Sequence, residues 1–128
     1  MKKDTALLVP LNGKIEVKNC KDYRDIVKSI GVDWLATSSC TINGMRFTIF
    51  CDDCALLRDE LPVPTIYTKR GKAVLFGSCI LAQIEDAGLD TETLTLPDNI
   101  MSIIDQNILT AFDWDGKQFI AHEVLIVD

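Results

Sequence analysis

Three dipeptides constrain this chain more than anything else in it. Asn12-Gly13, Asn43-Gly44 and Asp115-Gly116 each stand between runs that carry apolar residues. A two-residue hairpin turn needs positive φ at both central positions, and Asn, Asp and Gly tolerate it best. Strands joined by such turns are neighbours in sequence and pair antiparallel. The expected hairpins join residues 7–11 to 14–17, 34–42 to 45–51, and 111–114 to 119–127. Within the second, Met45, Phe47, Ile49 and Cys51 alternate with Arg46, Thr48 and Phe50, the pattern of a half-buried strand. Residues 65–67 read as a short strand and Arg70-Gly71 as a turn. Residues 72–84 read as one long apolar strand, with Gly77 marking a bulge or a close backbone approach. The apolar tail at 124–127 is expected to be paired, because four exposed apolar residues would invite aggregation.

Two helices interrupt the strands. Tyr23, Ile26, Val27 and Ile30 recur at helical spacing, with Asn19 placed to cap the start and Gly31 to end it. The opposite face carries Lys21, Asp22, Arg24, Asp25 and Lys28, a solvated surface. For the second helix Thr95 is the expected N-cap, Pro97 and Asp98 suit the first turn, and Ile100, Ile103, Ile104 and Ile108 line one face. Hairpins outnumber helices, so the fold class is α+β: a small antiparallel or mixed sheet built from hairpins, with two helices. The length of 128 residues fits a single domain over 1–128 with its own core.

The N-terminal apolar run is short and interrupted by Pro10, and no stretch approaches the ~20 apolar residues of a membrane helix. The chain is therefore expected to be cytoplasmic, with no membrane partner. Its five cysteines are an odd number, as expected of reduced thiols. Cys40, Cys51 and Cys79 lie in apolar runs and read as small core residues.

Few residues offer chemistry. Cys51-Asp52-Asp53-Cys54 has CxxC spacing, but it ends a strand and holds two carboxylates between its thiols. A reactive thiolate needs a positive environment, and a zinc site needs a second ligand pair. His122 is the sole histidine. Metal or thiol chemistry would have to use Cys51, Cys54 and His122. Phosphate-binding and dinucleotide-binding glycine loops are absent, and Asp113-x-Asp115-Gly116 lacks the later glutamate of a calcium loop. No cofactor and no catalytic residue is expected.

Charge is uneven. Residues 1–84 hold 12 Lys and Arg against 9 Asp and Glu, a net of +3, whereas residues 85–128 hold Lys117 against 10 acids, a net of −9. Such asymmetry points to a contact surface for a protein partner, with Asp98, Asp105, Asp113 and Asp115 as its expected carboxylates. Direct nucleic-acid binding is disfavoured, because Lys69-Arg70-Gly71-Lys72 is too small for a basic stripe.

Two segments carry a family resemblance. Phe47-Thr48-Ile49-Phe50-Cys51-Asp52-Asp53 runs into Leu56-Leu57-Arg58-Asp59, Pro62 and Pro64. Val74-Leu75-Phe76-Gly77-Ser78-Cys79-Ile80-Leu81 precedes Leu94-Thr95 and an acidic-start helix. Residues 5–106 so resemble an uncharacterised family of small proteins, known only as a domain of unknown function. Its members occur in Firmicutes, phages, plasmids and conjugative elements. The family usually has an acidic residue and glycine where this chain has Cys54-Ala55, so the CxxC is not part of the resemblance. Residues 107–128 read as a C-terminal hairpin extension. The resemblance implies no activity and no catalytic residue. Together with the charge asymmetry, the expected function is that of a non-enzymatic accessory or interaction protein of a bacterial mobile element, with the acidic third facing a partner. Alternatives are an anti-defence protein imitating DNA charge, a small metal- or thiol-dependent protein, and a homodimer paired through residues 124–127.

Overall fold

A computed structural model describes residues 2–31, 35–52, 63–88, 91–114 and 116–128. The described residues form two sheets and two helices. The first sheet holds seven strands: β1 (Lys2–Lys3), β2 (Thr5–Val9), β3 (Glu16–Asn19), β4 (Leu35–Ile42), β5 (Met45–Asp52), β8 (Cys79–Gly88) and β9 (Thr91–Leu96). The second runs β10 (Ile108–Trp114), β11 (Phe119–Val127), β6 (Pro64–Thr68), β7 (Ala73–Phe76). Helix α1 spans Tyr23–Ile30 and α2 spans Ile100–Asp105. The class is α+β, but the sheets are larger than the small hairpin sheet expected. Neighbouring strands are antiparallel except β6 and β11, which run parallel.

The three turn dipeptides fared differently. Asn43 and Gly44 have φ of 51° and 81°, and Ile42 pairs directly with Met45. That is the tight hairpin the dipeptide encodes. At Asn12-Gly13 only Gly13 has positive φ, and the strands stop at Val9 and resume at Glu16. The two strands do pair, but a longer loop joins them, because β11 recruits it. Glu123 N–H donates to Gly13 O at 3.1 Å, and Ile15 N–H donates to Glu123 Oε1 at 2.9 Å. In the last hairpin Trp114 pairs with Phe119 across a longer connection. Asp115 lies outside the described residues.

The expected long strand over 72–84 is two strands in different sheets. The chain changes sheet at Gly77, whose φ of 82° suits glycine and strains most other residues. Three bonds hold the corner: Gly77 N–H donates to Val63 O (3.1 Å), Thr65 Oγ1 donates to Gly77 O (2.7 Å), and Leu11 N–H donates to Ser78 Oγ (2.8 Å). A further hairpin, β8 with β9, occupies a region where no strand was expected beyond residue 84.

Helix α1 sits where expected, whereas α2 begins only at Ile100, so Pro97 and Asp98 precede it, and both helices have other caps. Asn19 ends β3, and Asp22 caps α1 by accepting from Arg24 and Asp25 N–H at 3.0 and 3.3 Å. Asp25 in turn accepts from Lys21 N–H, just before the cap, at 2.8 Å. Gly31 closes the helix in the left-handed conformation, as expected. Thr95 is a buried strand residue whose hydroxyl donates to Gln83 O at 3.3 Å, and Asn99 precedes α2 without a side-chain cap bond. Ile108 begins β10 rather than extending the α2 face.

The main core lies between the sheets. Leu7, Ile49 and Leu81 from the first meet Ile66, Leu75, Leu125 and Val127 from the second, with Ile100 and Ile104 of α2 joining them. A smaller core lies under α1 on the other face of the first sheet: Ala6, Cys20, Ile26, Phe50, Ile80, Ala82 and Leu94. Strand β5 is therefore buried on both faces, not on one. The C-terminal hairpin is integral, since Leu125 and Val127 belong to the main core. No helix among the described residues is long and apolar enough to cross a membrane.

Candidate functional site

Alternation along β10 and β11 divides their side chains between two faces. Ile108, Leu125 and Val127 face the first sheet and pack in or against the core, as does Ile66 of β6. At the other end of the hairpin the same parity carries Phe112, Trp114 and Phe119. These are 73%, 49% and 74% exposed, so the hairpin overhangs the packed core. Trp114 and Phe119 pair across the strands with ring centroids 5.1 Å apart at 65°, an edge-to-face contact. Leu109, on the opposite face, is 60% exposed. Among the described residues, strand β10 ends its sheet and is paired on one side only.

The outer face also holds a groove of about 360 Å³, mostly apolar, running over Val124 and Ile126 between Tyr67 and Lys69 on one side and Leu109 and Ala111 on the other. Next to it, His122 Nε2 lies 2.6 Å from Asp113 Oδ2. His122 is buried, and its Nδ1 has no hydrogen-bond partner among the described residues. Burial raises the Tyr67 hydroxyl pKa, and the Asp113 charge adds to that. A histidine working as a general base must present a ring nitrogen to a reactant. Here one nitrogen faces a carboxylate and the other is enclosed.

Of the expected metal or thiol set, Cys51 and His122 are not brought together. Cys51 faces the main core, where it lies directly opposite Cys79, whereas His122 is on the far side of the second sheet. Cys54 lies outside the described residues. Among the described residues no group of three or more His, Cys, Asp or Glu could hold a metal ion. Burial pushes the Cys40 thiol up to about 11 and raises Cys79 and Cys20 as well, so these thiols stay protonated.

The four expected contact carboxylates have unlike settings. Asp98 is exposed just before α2, and Asp105 is exposed at its end. Asp113 is half-buried and turned to His122. Asp115 lies outside the described residues. Two further acids of the same third also make internal bonds. Glu123 accepts from Ile15 N–H, while Asp128 pairs with Lys69 Nζ at 2.9 Å and accepts from Asn43 and Gly44 N–H. These bonds, Lys69 first, hold the Asp128 carboxyl below its ordinary value.

Residues 124–127 make their ladder bonds within the chain: Val124 and Leu125 pair with β10, Leu125, Ile126 and Val127 pair with β6, and Ile126 N–H donates to Asn107 O at 2.7 Å. The aromatic tip was missed at the sequence level because Phe112, Trp114 and Phe119 read simply as good strand formers. Their alternation with Asp113 would have placed Phe112 and Trp114 on one face. Comparison of the chain with family models, with curated proteins and with solved structures yields no match.

Proposed function

We propose that this protein is a non-enzymatic interaction module whose contact surface is the overhanging β10–β11 hairpin. One observation carries this. Of the seven large apolar side chains exposed among the described residues, four stand on that hairpin: Leu109, Phe112, Trp114 and Phe119. Clustered exposed aromatics mark contact sites, because they bring large apolar area at little entropic cost and dominate interface energetics. Asp98 and Asp105 of the acidic third are exposed as well. The family resemblance adds the setting, a cytoplasmic accessory protein of a bacterial mobile element.

The structure favours this over imitation of DNA charge. A charge mimic needs its carboxylates free and outward, whereas Asp113, Glu123 and Asp128 are turned to internal donors. Replacing Phe112, Trp114 and Phe119 together by Ser tests the proposal. The triple variant should keep its circular dichroism spectrum and cooperative melt yet lose the contacts the wild-type protein makes in its host. Unchanged contacts in a folded triple variant would sink the proposal.

A further inference from the structure

We infer that β10 is a self-pairing edge: two copies of this chain join β10 to β10, antiparallel about a two-fold axis, merging their second sheets into one of eight strands. This rests on the assignment of the β10–β11 hairpin as the contact surface, and it names the partner as a second copy.

A sheet edge offers unpaired N–H and C=O groups, and proteins guard such edges with shortness, charge, proline or bulges. The other edges here are guarded, except β4, which exposes no large apolar side chain. Strand β3 has four residues and presents Glu16 and Lys18, which pair at 3.3 Å. Strand β7 has four residues and shifts register against β6. Strand β1 has two residues. Strand β4 is long, but its exposed centre is Thr37, Ser38 and Ser39, and Asp128 N–H donates to Thr41 O at 2.8 Å near its end. Strand β10 has none of these devices. Its seven residues, Ile-Leu-Thr-Ala-Phe-Asp-Trp, keep unbroken register with β11 and include no Lys, Arg, Pro or Gly. Its single charge, Asp113, is turned to His122.

An antiparallel edge is complementary to itself, since a two-fold axis normal to the sheet sets donors against acceptors and keeps each face on its own side. Residues of like parity then oppose one another. A register centred on Asp113 would set two carboxylates together. The register centred on Phe112 sets Phe112 against its own copy, Thr110 against Trp114 and Ala111 against Asp113, and so gathers the aromatics at the axis. Phe112 and Trp114, both on β10, bring large exposed aromatic side chains to this seam.

Light scattering on the full chain reads the result. The wild-type protein should sediment and scatter as a species of twice the 14.3 kDa chain mass. Thr110→Lys puts a charge on the edge without touching the core, and should return a folded monomer. Phe112→Cys should cross-link chain to chain under oxidised glutathione, whereas Ala121→Cys, one strand inward on the same face, should not exceed the wild-type background. A monomeric wild-type protein overturns the self-pairing, as does a dimer that Thr110→Lys leaves intact and Phe112→Cys fails to cross-link. If that monomer still loses its host contacts on the triple serine substitution, the contact surface stands and only the identity of the partner changes. A dimer kept by the folded triple variant overturns the self-pairing through these aromatics, and the contact surface is then judged by the host contacts alone.

Discussion

Gly77 and His122 show how much single residues carry here. At Gly77 a Cβ would meet no atom within 4 Å, so Gly77→Ala isolates the backbone cost of a φ of 82°. That cost is about 1 kcal/mol, expected to lower the melting temperature by about 3–6 °C in a calorimetric scan. A larger loss would mean that the corner bonds to Val63 and Thr65 break with it. At His122 the bond to Asp113 is the one hydrogen bond the buried ring makes among the described residues. Asp113→Ala leaves both ring nitrogens buried without partners, a loss of about 1–3 kcal/mol by denaturant titration. These two residues also differ in legibility. Gly77 could be marked as special from its place in an apolar run, but whether it made a bulge or a corner depended on Val63, Thr65 and Leu11, all distant in sequence. His122 could be placed on a face by counting from Phe119, but its partner Asp113 follows only from the β10–β11 register.

Among the elements, α1 was the most legible, because its 3.6-residue spacing and Gly31 are local signals. Its cap was not, since Asn19 had already been claimed by pairing with Thr5 in the β2–β3 ladder. Asp22→Ala removes the cap bonds that do exist and should cost about 1 kcal/mol. The loss would be read as a lower urea midpoint with unchanged slope, whereas Asn19→Ala should leave the helix cap untouched. Asn43-Gly44 and Asn12-Gly13 make the same contrast between hairpins. The first dipeptide is free to form the turn its residues favour. The second lies beside Pro10, which cannot donate to a ladder, and beside β11, which offers its loop better partners. The candidate site follows this rule too. The exposed aromatics could be read as strand residues, but their exposure arises only because the hairpin projects past the core.

For the whole molecule, burial and one terminal tie govern behaviour. Four of the five cysteines are buried, so no more than one thiol should react quickly with Ellman's reagent at pH 8 in the native protein, and all five once it is unfolded in guanidinium. Asp128 links Lys69 to the β4–β5 turn, and its carboxyl titrates below the ordinary value of 3.8. A depressed carboxylate contributes stability above its unfolded pKa and loses it as pH falls through the lower folded value. Stability should therefore fall below about pH 4, and Asp128→Asn should flatten that fall while changing little of its shape near neutrality. The sequence by itself determined the local features: the tight turn at Asn43-Gly44, the span of α1, the strand character of β5 and the need for the tail to be paired. Backbone preference and side-chain period act over a few residues, and these features need nothing more. Tertiary structure decided the rest: the change of sheet at Gly77, the burial of β5 on both faces, the parallel pairing of β11 with β6, and the overhang that exposes Phe112, Trp114 and Phe119. Each of those depends on which distant segment meets the chain, and that is set by how the two sheets best cover one another's apolar faces.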